Sequence, residues 1–245
     1  MQAHKFSEFE LLLIESDNEI GTSVLLILAW IAACDGKIDS SEHKHLADIS
    51  DKSKHGHDIR PIIRMAKDRD IDSFQLASEI IKKHFHGEKA NLFLEMAIGM
   101  SIADGYLMPS ENHILRFLAD LLGVSRQRLN EIFISVTGKG IPEPSNPSEA
   151  SYWRAKNNSQ HENSSKEDTS NKRSQPTKNS ELIEAHAVLG IEIGVSKVEI
   201  KQAYRRLAQI HHPDRFASLG DESVAAATIT FQRIQSAYKY LMKYA

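Results

Sequence analysis

Residues 207–216 read LAQIHHPDRF, and they gather the residue types most able to do chemistry: His211, His212, Pro213 and Asp214 at the end of a helix-like run. A metal site, a catalytic His/Asp pair and a surface shaped for another protein are the three readings open to them. As a metal site the motif supplies two ligands, or three with His211, and adjacent residues cannot easily share one ion. As an acid–base pair it lacks a nucleophile and an oxyanion arrangement. What remains is a polar turn that ends a helix, or a surface read by a partner. Pro213 has no N–H, and its ring pushes His212 out of the α region, so the chain must turn here. Upstream, Lys197, Lys201 and Arg205 follow one another at i, i+4 with Arg206 beside them. Such a row is a solvated basic face or a docking face for an acidic partner.

A second set of candidates is acidic. AACDGKIDSSEHKHL at 32–46 matches SIADGYLMPSENHIL at 101–115, an offset of 69 residues. Asp35, Asp39, Glu42, Asp104 and Glu111 stand in these two segments. An EF-hand is excluded: with Gly36 or Gly105 in the glycine position, Ile31 and Ala33, or Met100 and Ile102, would fall where calcium ligands are needed. The segments suit helix-stop, left-handed glycine and helix-start chemistry. The expectation is no metal, with those five acids the residues to test for one. Histidines also occur in pairs, His43/His45, His55/His57 and His84/His86. On a helix, i and i+2 face different ways, so the first and third pairs are poor chelators; His55-Gly-His57 could chelate from a loop, but the favoured reading of all three is surface histidines.

The elements that must position these residues are helical. Ser196 with Glu199 forms a capping box. Behind it Val198, Ile200, Ala203, Tyr204, Leu207 and Ile210 make an apolar stripe. Phe231, Ile234, Ala237, Tyr238 and Leu241 make a second stripe, suited to an antiparallel hairpin with the first. A shorter helix over about 182–189 ends at Gly190. Residues 6–137 show apolar spacing of three and four with no period-2 strands, about seven helices in all. Asp39 with Glu42, Asp72 with Gln75, and Ser125 are their expected caps. The fold class is therefore all-α. Between the two helical parts, 138–180 is rich in Ser, Asn, Pro, Lys and Glu. It cannot bury enough apolar area to offset its ordering entropy, and it reads as a disordered, flexible linker. Tyr152 and Trp153 are its only aromatics.

Bulk properties narrow the function further. The 245 residues carry a formal charge of −3, which gives no bias toward nucleic acid or an anionic membrane. Cys34 is the single cysteine, so no internal disulfide can form. The start, MQAHKFSEFE, has no signal-peptide pattern. The most apolar run, 20–34, is shorter than the roughly 20 residues needed to span a bilayer and reads as a buried helix.

The stretch AVLGIEIGVSKVEIKQAYRRLAQIHHPDRF…FQRIQSAYKYL resembles the J domain of the DnaJ co-chaperone family over residues 182–243. The His-Pro-Asp tripeptide alone would arise by chance about 0.02 times in a chain of this composition; its flanking helices come in the family's order. Glu184, Ala185 and His186 stand where many J domains carry Asp-Tyr-Tyr. RFASLGDESVAAATIT makes a longer approach to the third helix. There are no CxxC repeats and no Gly/Phe-rich segment. These features are similar to the DjlA-like branch, and the Asp-Gly hairpins of residues 20–136 resemble a TerB-like helical domain, of the tellurite-resistance type. Membrane-bound DjlA proteins begin with a transmembrane helix, which this sequence does not show.

The resemblance implies a TerB-like bundle over 1–137, a linker over 138–180 and a three-helix J domain over 181–245. It implies a cytoplasmic co-chaperone, not an enzyme, without cofactor, whose partner is a DnaK-type chaperone. His212, Pro213 and Asp214 would trigger that partner's ATP hydrolysis, and Lys197, Lys201, Arg205 and Arg206 would set encounter and affinity. The first domain would recruit a client; peripheral inner-membrane association is compatible with this. The alternative is a TerB-like stress or metal-response adaptor in which the J domain is secondary.

Overall fold

The computed structural model describes residues 6–16, 18–33, 40–52, 58–102, 106–144 and 178–244. These are helical throughout, with no strand among the described residues. Helix α2 (Glu19–Ala32) forms the centre, with ten buried residues from Gly21 to Ile31. A helix apolar around its whole circumference belongs inside a bundle. Its buried hydroxyls return to their own helix: Thr22 Oγ1 donates to the Asn18 carbonyl at 2.9 Å and Ser23 Oγ to the Glu19 carbonyl at 2.7 Å. None of the helices is long and apolar enough to cross a membrane, among the described residues.

Around α2 pack α1 (Glu8–Ser16), α3 (Ser40–Lys52), α4 (Ile59–Asp68), α5 (Ile71–His84) and α6 (Glu88–Ser101). Next come α7 (Pro109–Leu121) and α8 (Arg126–Thr137), which pack on α6. Eight helices thus occupy the described part of a region expected to hold about seven. Ser125 caps α8 as expected, accepting from the Arg128 N–H. The cap of α5 lies two residues before the expected Asp72. Helix α4 ends on Arg69 in the left-handed region, φ 55°, which leaves Asp70 as the last non-helical residue. Asp70 accepts from the Ser73 N–H at 3.1 Å and the Ser73 hydroxyl at 2.7 Å. Asp72 is already inside the first turn. The expected Asp39–Glu42 box lies outside the described residues.

The C-terminal part holds α9 (Lys178–Leu189), α10 (Lys197–Ile210), a 3-10 helix (Pro213–Leu219) and α11 (Asp221–Tyr244). Gly190 follows α9 with φ 64°, and the Ser196–Glu199 capping box opens α10. Ala185, Leu189, Ile200, Ala203, Leu207, Ile234, Ala237 and Leu241 form the core of this part. The Tyr204 and Tyr238 rings stack across the hairpin at 4.2 Å. Val198, assigned to the apolar stripe, is 64% exposed. It sits in the first turn of α10.

The longer approach to the third helix is itself structured. Helix α11 starts ten residues before Phe231 and runs for 24 residues, about 36 Å at the α-helical rise. Its two halves serve different cores. The second half completes the C-terminal core. The first half, through Ala225, Ala226 and Ala227, joins Phe216 and Leu219 in the core built on α2, α3 and α6. Fully burying Phe216 contributes roughly 2–3 kcal/mol on area grounds. A polar contact fixes the helix start: Glu222 is buried and accepts from Asn18 Nδ2 at 3.0 Å. A Cβ on Gly21 would come within 2.3 Å of that carboxylate, so glycine at the head of α2 admits it.

The body of the expected linker, 145–177, with Tyr152 and Trp153, lies outside the described residues. Its first residues are tied to α7 and α8. The Pro142 carbonyl accepts from Asn112 Nδ2 at 2.9 Å and from Arg116 Nη2 at 2.8 Å, and Asn130 Oδ1 accepts from the Ile141 N–H at 3.0 Å.

Candidate functional site: an exposed His-Pro-Asp turn beside a basic helix face

Helix α10 stops where Pro213 requires it. His211 is the C-cap, donating its N–H to the Leu207 carbonyl at 2.9 Å. His212 is extended, φ −65° and ψ 127°, as expected of a residue before proline. Pro213 then opens the 3-10 helix, where its missing N–H costs nothing. The His212 side chain is 49% exposed and that of Asp214 91%. His212 Nδ1 lies 3.6 Å from an Asp214 carboxylate oxygen, and the Asp214 N–H donates to the same nitrogen at 3.4 Å. The His212 ring meets Phe231 edge-on at 5.6 Å, which limits its rotation from below. The turn thus presents one imidazole and one exposed carboxylate to solvent, with no nucleophile beside either.

Lys197, Lys201 and Arg205 are exposed along α10, on the same helix that leads into the turn. Arg206 does not join them. Its guanidinium lies over Gly138, the left-handed C-cap of α8, so close that a Cβ there would be 2.6 Å from Nη1. A cation at a helix C-terminus is favourably placed against the helix dipole. Its buried Nε has no hydrogen-bond partner among the described residues. Arg206 therefore braces the C-terminal part on the first domain while its three neighbours face outward.

The residues flanking the turn point the other way. His211 is buried over α6, and a Cβ on Gly99 would lie 2.5 Å from its Cε1. Burial, and then the nearby Arg215 charge, push the His211 pKa down from 6.5 to about 4. Arg215 Nη1 donates to the Ile210 carbonyl and pairs with Glu95 Oε2 at 2.8 Å. Sequence reasoning weighed His211 only as a third metal ligand, and it missed Arg215, Glu95 and Gly99. The one signal was the pair Phe216 and Leu219, apolar residues too close to the motif to belong to the expected third-helix stripe.

Of the acidic candidates, Asp35, Asp39 and Asp104 lie outside the described residues, as does the side chain of Glu42. Glu111 accepts from the Met108 N–H at 2.7 Å and so caps α7. Among the described residues no group of three or more His, Cys, Asp or Glu could hold a metal ion. His84 Nε2 lies 3.0 Å from Glu19 Oε1, and His43 and His86 are exposed.

Comparison with known proteins agrees with this geometry. Residues 21–132 match the family model of tellurite resistance protein TerB, and residues 184–244 match that of the DnaJ domain. Co-chaperone protein DjlA of Vibrio vulnificus is 26% identical over 247 residues, spanning 94% of this chain and 79% of its own length. The protein of that name from Shewanella oneidensis is 25% identical over 244 residues, spanning 95% and 81%. That from Pectobacterium atrosepticum is 30% identical over 156 residues, spanning 61% and 53%. No solved structure matches. With a TerB domain at its head, a DnaJ domain at its tail and an exposed His-Pro-Asp turn between two helices, the chain is a DjlA-like J-domain protein.

Proposed function

We propose that this protein is a co-chaperone that stimulates ATP hydrolysis by a DnaK-type chaperone. The observation that carries the reading is the solvent-facing His212-Pro213-Asp214 turn, set at the end of a helix whose Lys197, Lys201 and Arg205 are also free to meet a partner. Asp214 is suited to accept charge-assisted hydrogen bonds from a partner's arginine. Pro213 holds the turn in one conformation and so reduces the entropy lost on docking. The basic row steers an acidic partner and sets encounter and affinity. Chemistry takes place on the partner; the chain's contribution is a binding surface, not a catalytic group. The TerB domain, in this reading, recruits a client or a second partner.

The test is the steady-state ATPase rate of a cognate DnaK-type chaperone with the full-length protein and with His212→Gln. Stimulation by the first, lost in a variant of unchanged helicity and melting temperature, is expected. Equal stimulation by both would overturn the assignment of the motif. Absence of stimulation by either, across the DnaK-type paralogues of one cell, would overturn the function.

A further inference from the structure

The turn is held from both sides by one helix of the first domain. Glu95 and Gly99 are four residues apart on α6 and so share a face. Gly99 receives the His211 ring immediately before the motif. Glu95, its side chain 15% exposed, pairs with Arg215 immediately after it. The same Arg215 guanidinium reaches back to the carbonyl of Ile210, the last residue of α10. Arg215 therefore closes the chain over residues 211–214 like a clasp and fastens that clasp to α6. One residue later, Phe216 enters the first domain's core. Both ends of the turn thus contact α6.

We infer that α6 of the TerB domain, through Glu95 and Gly99, positions the His-Pro-Asp turn for its partner, so that the first domain is a working part of the activating surface. This rests on the co-chaperone reading above. The alternative is a turn positioned by α10 and α11 alone, with the TerB domain merely attached. The chemistry favours the first. The Glu95 Oε2 atom is buried and makes its close contact as an ion pair and not as a well-directed hydrogen bond. Its hold on Arg215 depends on charge. Gly99 leaves room for an imidazole and nothing larger than a hydrogen between it and the helix backbone.

The division of labour predicts a split in kinetics. The exposed basic face governs how much co-chaperone is needed; the set of the turn governs how well the bound complex triggers hydrolysis. In full-length protein, Glu95→Gln and Gly99→Ala are each expected to lower the maximal stimulation about three- to tenfold, with the half-saturating concentration nearly unchanged. Reversing the pair, Glu95→Arg with Arg215→Glu, is expected to restore much of what Glu95→Arg alone removes. Backbone hydrogen exchange measured without chaperone is expected to quicken at residues 212–219 in Glu95→Gln, while the amides of α2 and α7 keep their protection. Unchanged maximal stimulation in both single variants would overturn the inference, as would a rise in half-saturation alone, or unchanged exchange across 212–219. If the wild type itself fails to stimulate, the co-chaperone reading is lost, and the exchange measurement still decides whether α6 sets the turn.

Discussion

Acidification should loosen the junction between the two domains before either domain's carboxylates are exhausted, and His211 is the reason. Its pKa is pushed down to about 4 from 6.5, by burial against α6 and then by the Arg215 charge. A base with a depressed pKa binds its proton in the unfolded chain at higher pH than in the folded one. Between pH 6.5 and 4 the unfolded state therefore carries more protons, and stability rises with pH in that window. Above about pH 6.5 the His211 contribution is fully present. It is lost as pH falls toward 4, and a shift of this size corresponds to about 3 kcal/mol at the low end. The assay is the free energy of urea unfolding at half-unit steps from pH 7.5 to 4.5, for the wild type and for His211→Leu. Carboxylates contribute to both curves, so the difference between them isolates His211. Wild type should be the steeper, the gap between the two narrowing or reversing by up to about 3 kcal/mol as pH falls. A constant difference across the range, or an NMR titration of His211 with a midpoint near 6.5, would refute the buried placement of the ring.

Phe216→Ala should destabilise the full chain by about 3–5 kcal/mol, and the loss should appear in the transition that unfolds α2 and α6; a loss confined to a separate C-terminal transition would contradict the shared core. Gly21→Ala must displace the buried Glu222 carboxylate and should cost about 1–3 kcal/mol in thermal or urea unfolding, whereas Gly123→Ala, with nothing near its Cβ, tests backbone strain alone. Ser196→Ala removes the cap of α10 and should cost about 1 kcal/mol, read as a lower melting temperature with maximal ATPase stimulation retained. Arg205→Glu should raise the half-saturating concentration for a DnaK-type chaperone, and the effect should shrink as salt rises.

The parts of the fold legible in the sequence are those set by short-range chemistry. Ser125, Ser196 and Gly190 mark helix ends because a cap needs only its own neighbours. The α2 segment announced its burial because its apolar residues go all the way round. The turn at Pro213 follows from the ring itself. What stayed hidden depends on partners distant in sequence. Periodicity says which face of α11 is apolar but not that two cores divide it. Ala225–Ala227 is too small a run to stand out, yet small side chains are what let α11 approach α2 and α3 closely. The polar composition after residue 137 suggested separation of the domains. Composition reports whether a segment can order itself, not whether the elements it joins touch each other. Arg206 was grouped with Lys197, Lys201 and Arg205 by spacing, and one step around the helix was enough to turn it toward Gly138.

The two cores differ in size, and the segment just after the turn belongs to the larger one. The C-terminal core has eight buried residues, three of them alanines. The core on α2 contains many more, including Phe216 and Leu219 from the segment just after the motif. Local openings follow the weaker packing, so α9 and the far half of α11 should exchange their amides sooner than residues 216–227. His212, Pro213 and Asp214 lie where the smaller core joins the larger. Here the residues from Arg215 to Thr230 carry the chain into a neighbouring domain and back, so the opening free energy of the motif should approach that of the domain it is anchored in. Damage to the core around α6 should therefore weaken the motif even where α10 and its basic face are untouched.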